Sequence, residues 1–191
     1  IVSPGEVKSN KFAIDLTKAA FSCARVFSIN PKSENINLFC LLGILNSEPV
    51  EFYLHKSSSL KAGGYFSYSS TILDTTPIPN EYEQHLLSTI VSYILELRTN
   101  EGDLLRSFFD QLINCIIYNL YFKAEIQSAN KQILPHLGDL KPITDDMSDE
   151  EKLAIIQSEF ERLYDPNHPV RNNLETLDSV EEVRIIKEAL K

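Results

Sequence analysis

Two runs of apolar and polar positions within the first thirty residues predict β-strands. Phe12, Ile14 and Leu16 lie two apart within the run from 11 to 17, and a second β-like run extends from 21 to 29. A period of two is typical of a half-buried strand. Asn30 and Pro31 then form a turn signal. The N-terminal part is therefore predicted to form a small β-sheet, which is marginal if it holds only two or three strands.

The next segment, residues 36 to 56, has the length and apolar spacing of a helix. Its apolar face comprises Leu38, Leu41, Leu42 and Leu45. Pro49 cannot donate a backbone hydrogen bond to the carbonyl of Leu45, so the helix is expected to kink or to restart there, with Ser47 as the N-cap of the second piece. An aromatic run from Tyr65 to Tyr68 is then predicted to be a short edge strand.

Two amphipathic helices are predicted next. Asn80 and Glu83 have the spacing of a capping box, and the helix that they open is expected to end near Arg98. The second helix has apolar pairs every fourth residue between Leu104 and Tyr121. Because the connection between them is short, an antiparallel helix hairpin is expected.

The remaining residues are predicted to form tail helices. One helix is expected over 123–134, a loop over 137–146, and a capped helix from Ser148 to about Tyr164. Residues 165–169 resemble a rigid linker, and Ser179 with Glu182 is expected to cap a last helix. The predicted fold class is thus α+β, with a small N-terminal β-sheet portion and a packed helix, followed by a mostly α-helical C-terminal part of helix hairpin and tail helices.

Charge is distributed unevenly along the chain. The net charge is −9, yet residues 1–80 carry seven Lys and Arg against six Asp and Glu, a net +1, so the rest carries −10. The overall charge argues against a nucleic-acid binder. Any phosphate contact is therefore expected in the first half, and the acidity belongs to the C-terminal helices.

Three cysteines, an odd number set far apart in apolar surroundings, favour buried thiols in a reducing cytoplasm. No apolar run reaches the ~20 residues of a membrane span, so no membrane partner is expected. The chain starts at Ile1 and its single methionine is Met147, from which we expect a piece of a longer product.

Catalytic motifs are missing from the sequence. A DNA amino-methyltransferase needs a Gly-containing loop for S-adenosylmethionine and an Asn/Asp-Pro-Pro-aromatic loop for the flipped base, and the nearest segment, 165–169, lacks the paired prolines and the aromatic residue. Glu150-Glu151-Lys152 has the letters of a nuclease motif but is expected at a helix N-terminus, where acidic residues favour the dipole. The histidines lack metal-ligand spacing. Neither catalytic residues nor a metal or cofactor site are predicted within this chain.

One segment has side chains suited to DNA. It combines lysine amines, serine hydroxyls, glycine backbone amides and a tyrosine, which suit phosphate oxygens and base edges. The candidate DNA-binding residues are Lys56, Ser57, Ser58, Ser59, Lys61, Gly63, Gly64 and Tyr65. An ordinary loop between a helix and a strand has the same composition, so the residues alone leave both interpretations open.

Several motifs, kept in order between about residues 8 and 126, carry a family resemblance. They are an entering Lys-Phe-Ala-Ile-Asp strand at 11–15, a Leu-Leu-Gly-Ile-Leu-Asn-Ser helix at 41–47, Phe-Tyr-Leu at 52–54, a basic connection at 56–61, Gly-Gly-Tyr-Phe at 63–66, Thr-Pro-Ile-Pro at 76–79 and Tyr-Asn-Leu-Tyr at 118–121. The chain resembles the C-terminal specificity region of type IIG restriction-modification enzymes and related adenine-specific (N6) DNA methyltransferases. Pro49, Thr76 and Phe122 depart from the family pattern.

The resemblance implies a non-catalytic C-terminal part of such an enzyme that contributes to DNA target recognition. It implies double-stranded DNA and the catalytic domain of the same chain as partners. It also implies S-adenosylmethionine as the cofactor of the parent enzyme, and magnesium where the parent also cleaves DNA. Residues 1–80 are then part of the recognition domain, 81–134 bracing helices and 135–191 a helical tail. Two alternatives stay open: a helical protein-interaction module that touches DNA little, and part of a type I specificity subunit.

Overall fold

The structure is a computed structural model that describes residues 1–15, 25–30, 36–79, 83–97 and 103–191. It combines two small antiparallel sheets, whose strands lie between residues 2 and 67, with helices that make up most of the described residues from 84 onward. This confirms the predicted α+β class and its mostly helical C-terminal part.

The two sheets are short, and each contains a pair of strands that are distant in sequence. β1 (Val2–Pro4) pairs with β3 (Val26–Ser28). The second sheet has the order β2-β5-β4, where β2 is Glu6–Val7, β4 is Ser59–Lys61 and β5 is Tyr65–Ser67. β5 is therefore the central strand, and the prediction of an edge strand at this place was wrong. It failed because the serine- and lysine-containing residues before it form a strand of their own.

The expected strand over 11–17 is reduced, within its described residues, to a bridge between Ala13 and Val2. The alternation that suggested it has a structural basis, since Phe12 is buried and Ala13 is exposed. The second expected strand begins only at Val26 among the residues described. Leu16, Cys23, Pro31 and residues 21–24 lie outside the described part of the chain.

The long helix predicted over 36–56 is divided in two, as Pro49 indicated. α1 (Leu38–Leu45) begins after Asn37, whose side chain accepts hydrogen bonds from two backbone amides of the first turn. α2 (Glu48–Ser57) begins after Ser47 and has Pro49 in its first turn, where a missing N–H costs nothing. Ser47 occupies the N-cap position, but its hydroxyl donates to Ile44 O at 2.6 Å instead of capping α2.

The remaining helices follow in order. They are α3 (Ser70–Asp74), α4 (Gln84–Glu96), α5 (Asp103–Tyr121), α6 (Lys123–Ser128), α7 (Leu134–Leu137), α8 (Asp149–Leu163), α9 (Pro169–Glu175) and α10 (Glu181–Ala189), with a 3-10 turn at Leu177–Ser179. α4 and α5 form the expected antiparallel hairpin. The rings of Tyr93 and Phe109 meet edge to face, and Arg106 Nη1 donates to Leu97 O at 3.2 Å near the connection.

Three expected helix boundaries were wrong. Glu83 is the N-cap of α4 and not its third residue, and Asn80 lies outside the described residues. The helix expected over 123–134 ends at Ser128, because Asn130 adopts φ +53° and the chain restarts at Leu134 with Pro135 in the first turn. Ser179 lies inside the 3-10 turn, so Val180 takes the N-cap position of α10.

One hydrophobic core joins the N-terminal segment to the helices. α1 packs on α4 and α5, and Gly43 permits the closest approach, since a Cβ built there would lie 2.9 Å from Val91 Cγ2. The core extends from Val7 and Phe12 at one end of the sequence to Val183 and Ile186 at the other. The sheets are thus held on a helical base.

Candidate nucleic-acid interface

The hairpin of β4 and β5 depends on its two glycines. Lys61 pairs with Tyr65, and the Gly64 N–H donates to Lys61 O at 3.3 Å to close the turn. Gly63 and Gly64 have φ values of +79° and +77°, which only glycine adopts readily. The glycines at this position are therefore explained by the turn itself, and the Gly64 amide is already engaged within it.

The register of the sheet places two lysines on either side of a tyrosine. Lys61 lies directly opposite Tyr65 on β4, and directly opposed residues of an antiparallel pair share one face. On the other side, Lys8 follows β2 and brings its Nζ to 5.2 Å from the centroid of the Tyr65 ring. Tyr65 is 41% exposed, and both lysines are exposed. We call Lys8, Tyr65 and Lys61 the basic row.

A second row lies two residues along the strands. Glu6 pairs with Ser67, and Ser67 pairs with Ser59. Because side chains alternate along a strand, these three share the face of the basic row. Glu6 and Ser59 are exposed and Ser67 is half-buried. We call them the polar row, and the surface formed by both rows the outer face.

The inner face of the same sheet packs against α2. Val7, Phe66 and Leu60 are paired across the strands between the two rows and therefore point the opposite way. Phe66 stacks on the His55 ring with the centroids 3.7 Å apart, and Val7 is 3% exposed. Burial lowers the pKa of His55, which favours the neutral ring. The inner face is thus fixed to α2, whereas Leu60 at its end is 66% exposed.

A partly buried polar network holds the end of β5 to the rest of the molecule. The Tyr68 N–H donates to Gly5 O at 2.8 Å, and the Tyr68 hydroxyl donates to Asn10 Oδ1. Asn10 in turn donates from Nδ2 to Leu45 O at 2.6 Å and from its backbone to Glu51 Oε1 at 3.1 Å. Burial raises the pKa of Tyr68 and of Glu51. The outer face is therefore carried by a well-connected base.

The sequence-predicted DNA-binding residues do not form one loop. Lys56 and Ser57 are the last residues of α2, and Lys56 Nζ lies 5.4 Å from the centroid of the Phe52 ring. Ser58 has a buried hydroxyl without a hydrogen-bond partner. Ser59, Lys61 and Tyr65 are on the outer face, joined by the turn that contains Gly63 and Gly64. The structure thus brings together three of the eight residues and places their turn beside them.

Three residues of the outer face were missed by sequence analysis. Lys8, Glu6 and Ser67 reach it through the pairing of β2 with β5, which are far apart in sequence. No local pattern reports such a pairing, because β2 has only two residues. The only local sign of β2 is that the polar Glu6 is followed by the apolar Val7, as in a strand with one exposed and one buried face.

Other kinds of site find little support among the described residues. They contain no group of three or more His, Cys, Asp or Glu side chains placed to hold a metal ion. No helix found there is both long and apolar enough to cross a membrane. Cys40 and Cys115 are buried free thiols, as expected, and burial raises their pKa values to about 11 and about 12. Both thiols are therefore poor nucleophiles at neutral pH.

The part of the chain that contains the outer face matches a known protein family. Residues 1–78 match the family model of the TaqI-like C-terminal specificity domain. The matched specificity segment contains both sheets and α1 to α3. Over these residues it confirms the resemblance to the C-terminal specificity region of restriction-modification enzymes and supports a target-recognition role, while the part of the resemblance that was based on residues 79–126 lies outside the match. No curated protein and no solved structure matches the chain.

Proposed function

We propose that the specificity segment binds double-stranded DNA through the outer face of its β2-β5-β4 sheet. The observation that carries the proposal is the basic row, in which two exposed lysines flank an exposed tyrosine on a fixed sheet. Lysines that contact phosphates position a protein on a duplex, whereas contacts to base edges specify the sequence. The basic row provides groups of the first kind, and Tyr65 adds an aromatic surface for a sugar or a base.

Charge distribution supports this choice of surface. Residues 81–191 account for the negative charge of the chain, a net −10, so this part of the molecule repels a polyanion. Within the specificity segment, Lys8 and Lys61 lie on one face together with the Ser59 hydroxyl. Lys56 and Ser57 at the end of α2, with Gly63 and Gly64 of the turn, are proposed as further contacts beside that face, whereas Ser58 is left out because its hydroxyl is buried.

The parent protein is proposed to be a type IIG-like restriction-modification enzyme or a related adenine-N6 DNA methyltransferase in the cytoplasm. The catalytic domain, with S-adenosylmethionine and, where the parent also cleaves DNA, magnesium, belongs to another part of that protein. In this proposal residues 1–80 belong to the recognition domain, 81–134 brace it against the catalytic domain, and 135–191 form a helical tail. The shared core from α1 to α5 supports a bracing role for the helices.

The test is the salt dependence of DNA binding by the full-length protein. Lys8→Ala combined with Lys61→Ala removes two phosphate contacts, so the slope of log Kobs against log salt is expected to lessen by about 1.8 on a pool of random-sequence duplexes. The affinity of this double variant for DNA at low salt is also expected to fall.

Lys123→Ala combined with Lys141→Ala is the matched control, because both side chains are exposed and lie outside the specificity segment. The proposal is wrong if the Lys8 and Lys61 substitutions leave the slope unchanged, or if the control pair lowers it equally.

A protein-interaction module is the second candidate. It is favoured by Leu60, which is 66% exposed at the end of the inner face, and by the acidic second half. Crosslinking of the intact protein to target DNA separates the two functions. Crosslinks at Tyr65 favour the DNA interface, whereas crosslinks confined to other domains favour docking.

A further inference from the structure

Glu6 places a negative charge on the surface that is proposed to bind DNA, where positive charge is expected. Its exposed carboxylate lies opposite Ser67, on the same face as Lys8 and Lys61. It makes no ion pair and no side-chain hydrogen bond with the described part of the chain, so neither lysine neutralises it. A free carboxylate next to a phosphate is repelled, and one over the bases is useful only if it accepts a hydrogen bond.

Two orientations of the sheet on a duplex are distinguished by this charge. The outer strands lie ~10 Å apart and the two rows ~7 Å apart, against a major groove ~12 Å wide. If the strands run along the groove, β2 lies beside one phosphate backbone and holds both Lys8 and Glu6 against it. If the strands run across the groove edge, the basic row follows one backbone, and the polar row lies about halfway over the groove.

The second orientation separates the charges according to their sign. Lys8 and Lys61 then meet phosphates of the same DNA strand, with Tyr65 between them, and Glu6 is held over base edges. A carboxylate there accepts a hydrogen bond from the exocyclic amino group of cytosine or adenine, and the hydroxyls of Ser67 and Ser59 accept or donate beside it.

We propose that Glu6 is a specificity-determining residue that reads an amino-bearing base, cytosine or adenine, in the major groove, while the basic row follows a single phosphate backbone. The proposal rests on the DNA role of the outer face proposed above. It adds which of the surface residues carries sequence information and how the sheet lies on the duplex.

Selection from a random-sequence duplex pool by the full-length protein tests the role of Glu6. Glu6→Gln is expected to lower discrimination at one cytosine- or adenine-containing position roughly 10- to 100-fold, the range for loss of a good base contact. Asp74→Asn is the control, since it removes the same charge from an exposed position on α3. It is expected to keep the wild-type preference at every position.

Phosphate-neutralisation interference tests the orientation. Methylphosphonates that weaken wild-type binding are expected to lose their effect in Lys8→Ala and in Lys61→Ala at positions on the same DNA strand. Positions on opposite strands overturn the orientation. A uniform gain of affinity in Glu6→Gln without a change of base preference places Glu6 beside phosphates and overturns its role.

These outcomes are separate from failure of the proposed function. An unchanged salt slope after removal of Lys8 and Lys61 refutes the DNA interface itself. A reduced slope together with wild-type base preference in Glu6→Gln refutes only the inference about Glu6.

Discussion

The contact at Gly43 gives the sharpest test of how the specificity segment is joined to the helices. Gly43 is buried in α1, and a Cβ built there would lie 2.9 Å from Val91 Cγ2 on α4 and 3.7 Å from Ile113 Cδ1 on α5. Real Cβ atoms do not approach so closely, so Gly43→Ala requires Val91 or the helices to move. Val91 is β-branched and has little rotamer freedom within a helix.

The size of the effect follows from two opposing terms. Overpacking a filled core costs typically 1–3 kcal/mol, and alanine gains about 1 kcal/mol over glycine in a helix interior. We therefore expect Gly43→Ala to lower the free energy of unfolding by about 1 kcal/mol. Val91→Ala removes two buried methyl groups and is expected to cost about 2 kcal/mol.

The double variant tests the close approach of α1 and α4 without depending on the exact stability loss of either single variant. In Gly43→Ala with Val91→Ala, the new methyl group occupies part of the space that the valine leaves, so the combined loss should be smaller than the sum by at least ~0.5 kcal/mol. Urea unfolding of all four proteins measures the coupling. Additive losses, or a Gly43→Ala protein more stable than wild type, would refute the close approach of α1 to α4.

Two further predictions concern a helix cap and a buried ring. Ser148→Ala should lower the free energy of unfolding by about 1 kcal/mol, because Ser148 and Glu151 form a complete capping box at the start of α8. Ser179→Ala should change it by no more than ~0.5 kcal/mol, because Ser179 caps no helix. Equal losses of the two variants in urea unfolding would contradict the assignment of the caps. Burial lowers the pKa of His55, so the unfolded chain binds the proton more readily and the free energy of unfolding should fall as pH drops through 6.5. Burial raises the pKa of nearby Glu51, and this opposes the trend at lower pH. The measured quantity is therefore the difference in unfolding free energy between wild type and His55→Phe, which should become less favourable to wild type below pH 6.5. A difference that does not change with pH would contradict the prediction.

The two serine caps show how far local sequence reasoning reaches. Ser148 and Ser179 have the same spacing to a glutamate, and only Ser148 makes the box. Leu177 and Val180 are both buried around Ser179, and their burial favours the 3-10 turn that withdraws its side chain from the cap. A cap motif is thus reliable where nothing in the core competes for the same turn.

The candidate interface shows the corresponding limit for strands. The periodicity of α5 is local and strong, and it predicted the helix from Leu104 to Tyr121 closely. The outer face depends on the pairing of Glu6 with Ser67, whose partners are joined only by tertiary structure. The sequence therefore predicted Ser59, Lys61 and Tyr65 as candidate DNA-binding residues. The register added Lys8, Glu6 and Ser67, and the charge of Glu6 changes the proposed orientation on DNA.

α2 explains why a DNA-binding sheet would need so large a helical base. At its first turn, the Glu48 amide donates to Asn114 Oδ1 at 2.8 Å and its carboxylate accepts from the Tyr118 hydroxyl at 2.9 Å, both on α5. Near its last turn, the His55 ring stacks on Phe66 of the sheet. Because the break at Asn46 and Ser47 separates the direction of α2 from that of α1, these contacts at its two ends help to orient it, together with its packing against α10 and α3. A helix of ten residues spans ~15 Å, so a small tilt at Glu48 would displace the basic row relative to a bound backbone. In the proposed interface, α5 therefore contributes to recognition without touching DNA, because it holds the far end of the helix on which the sheet rests.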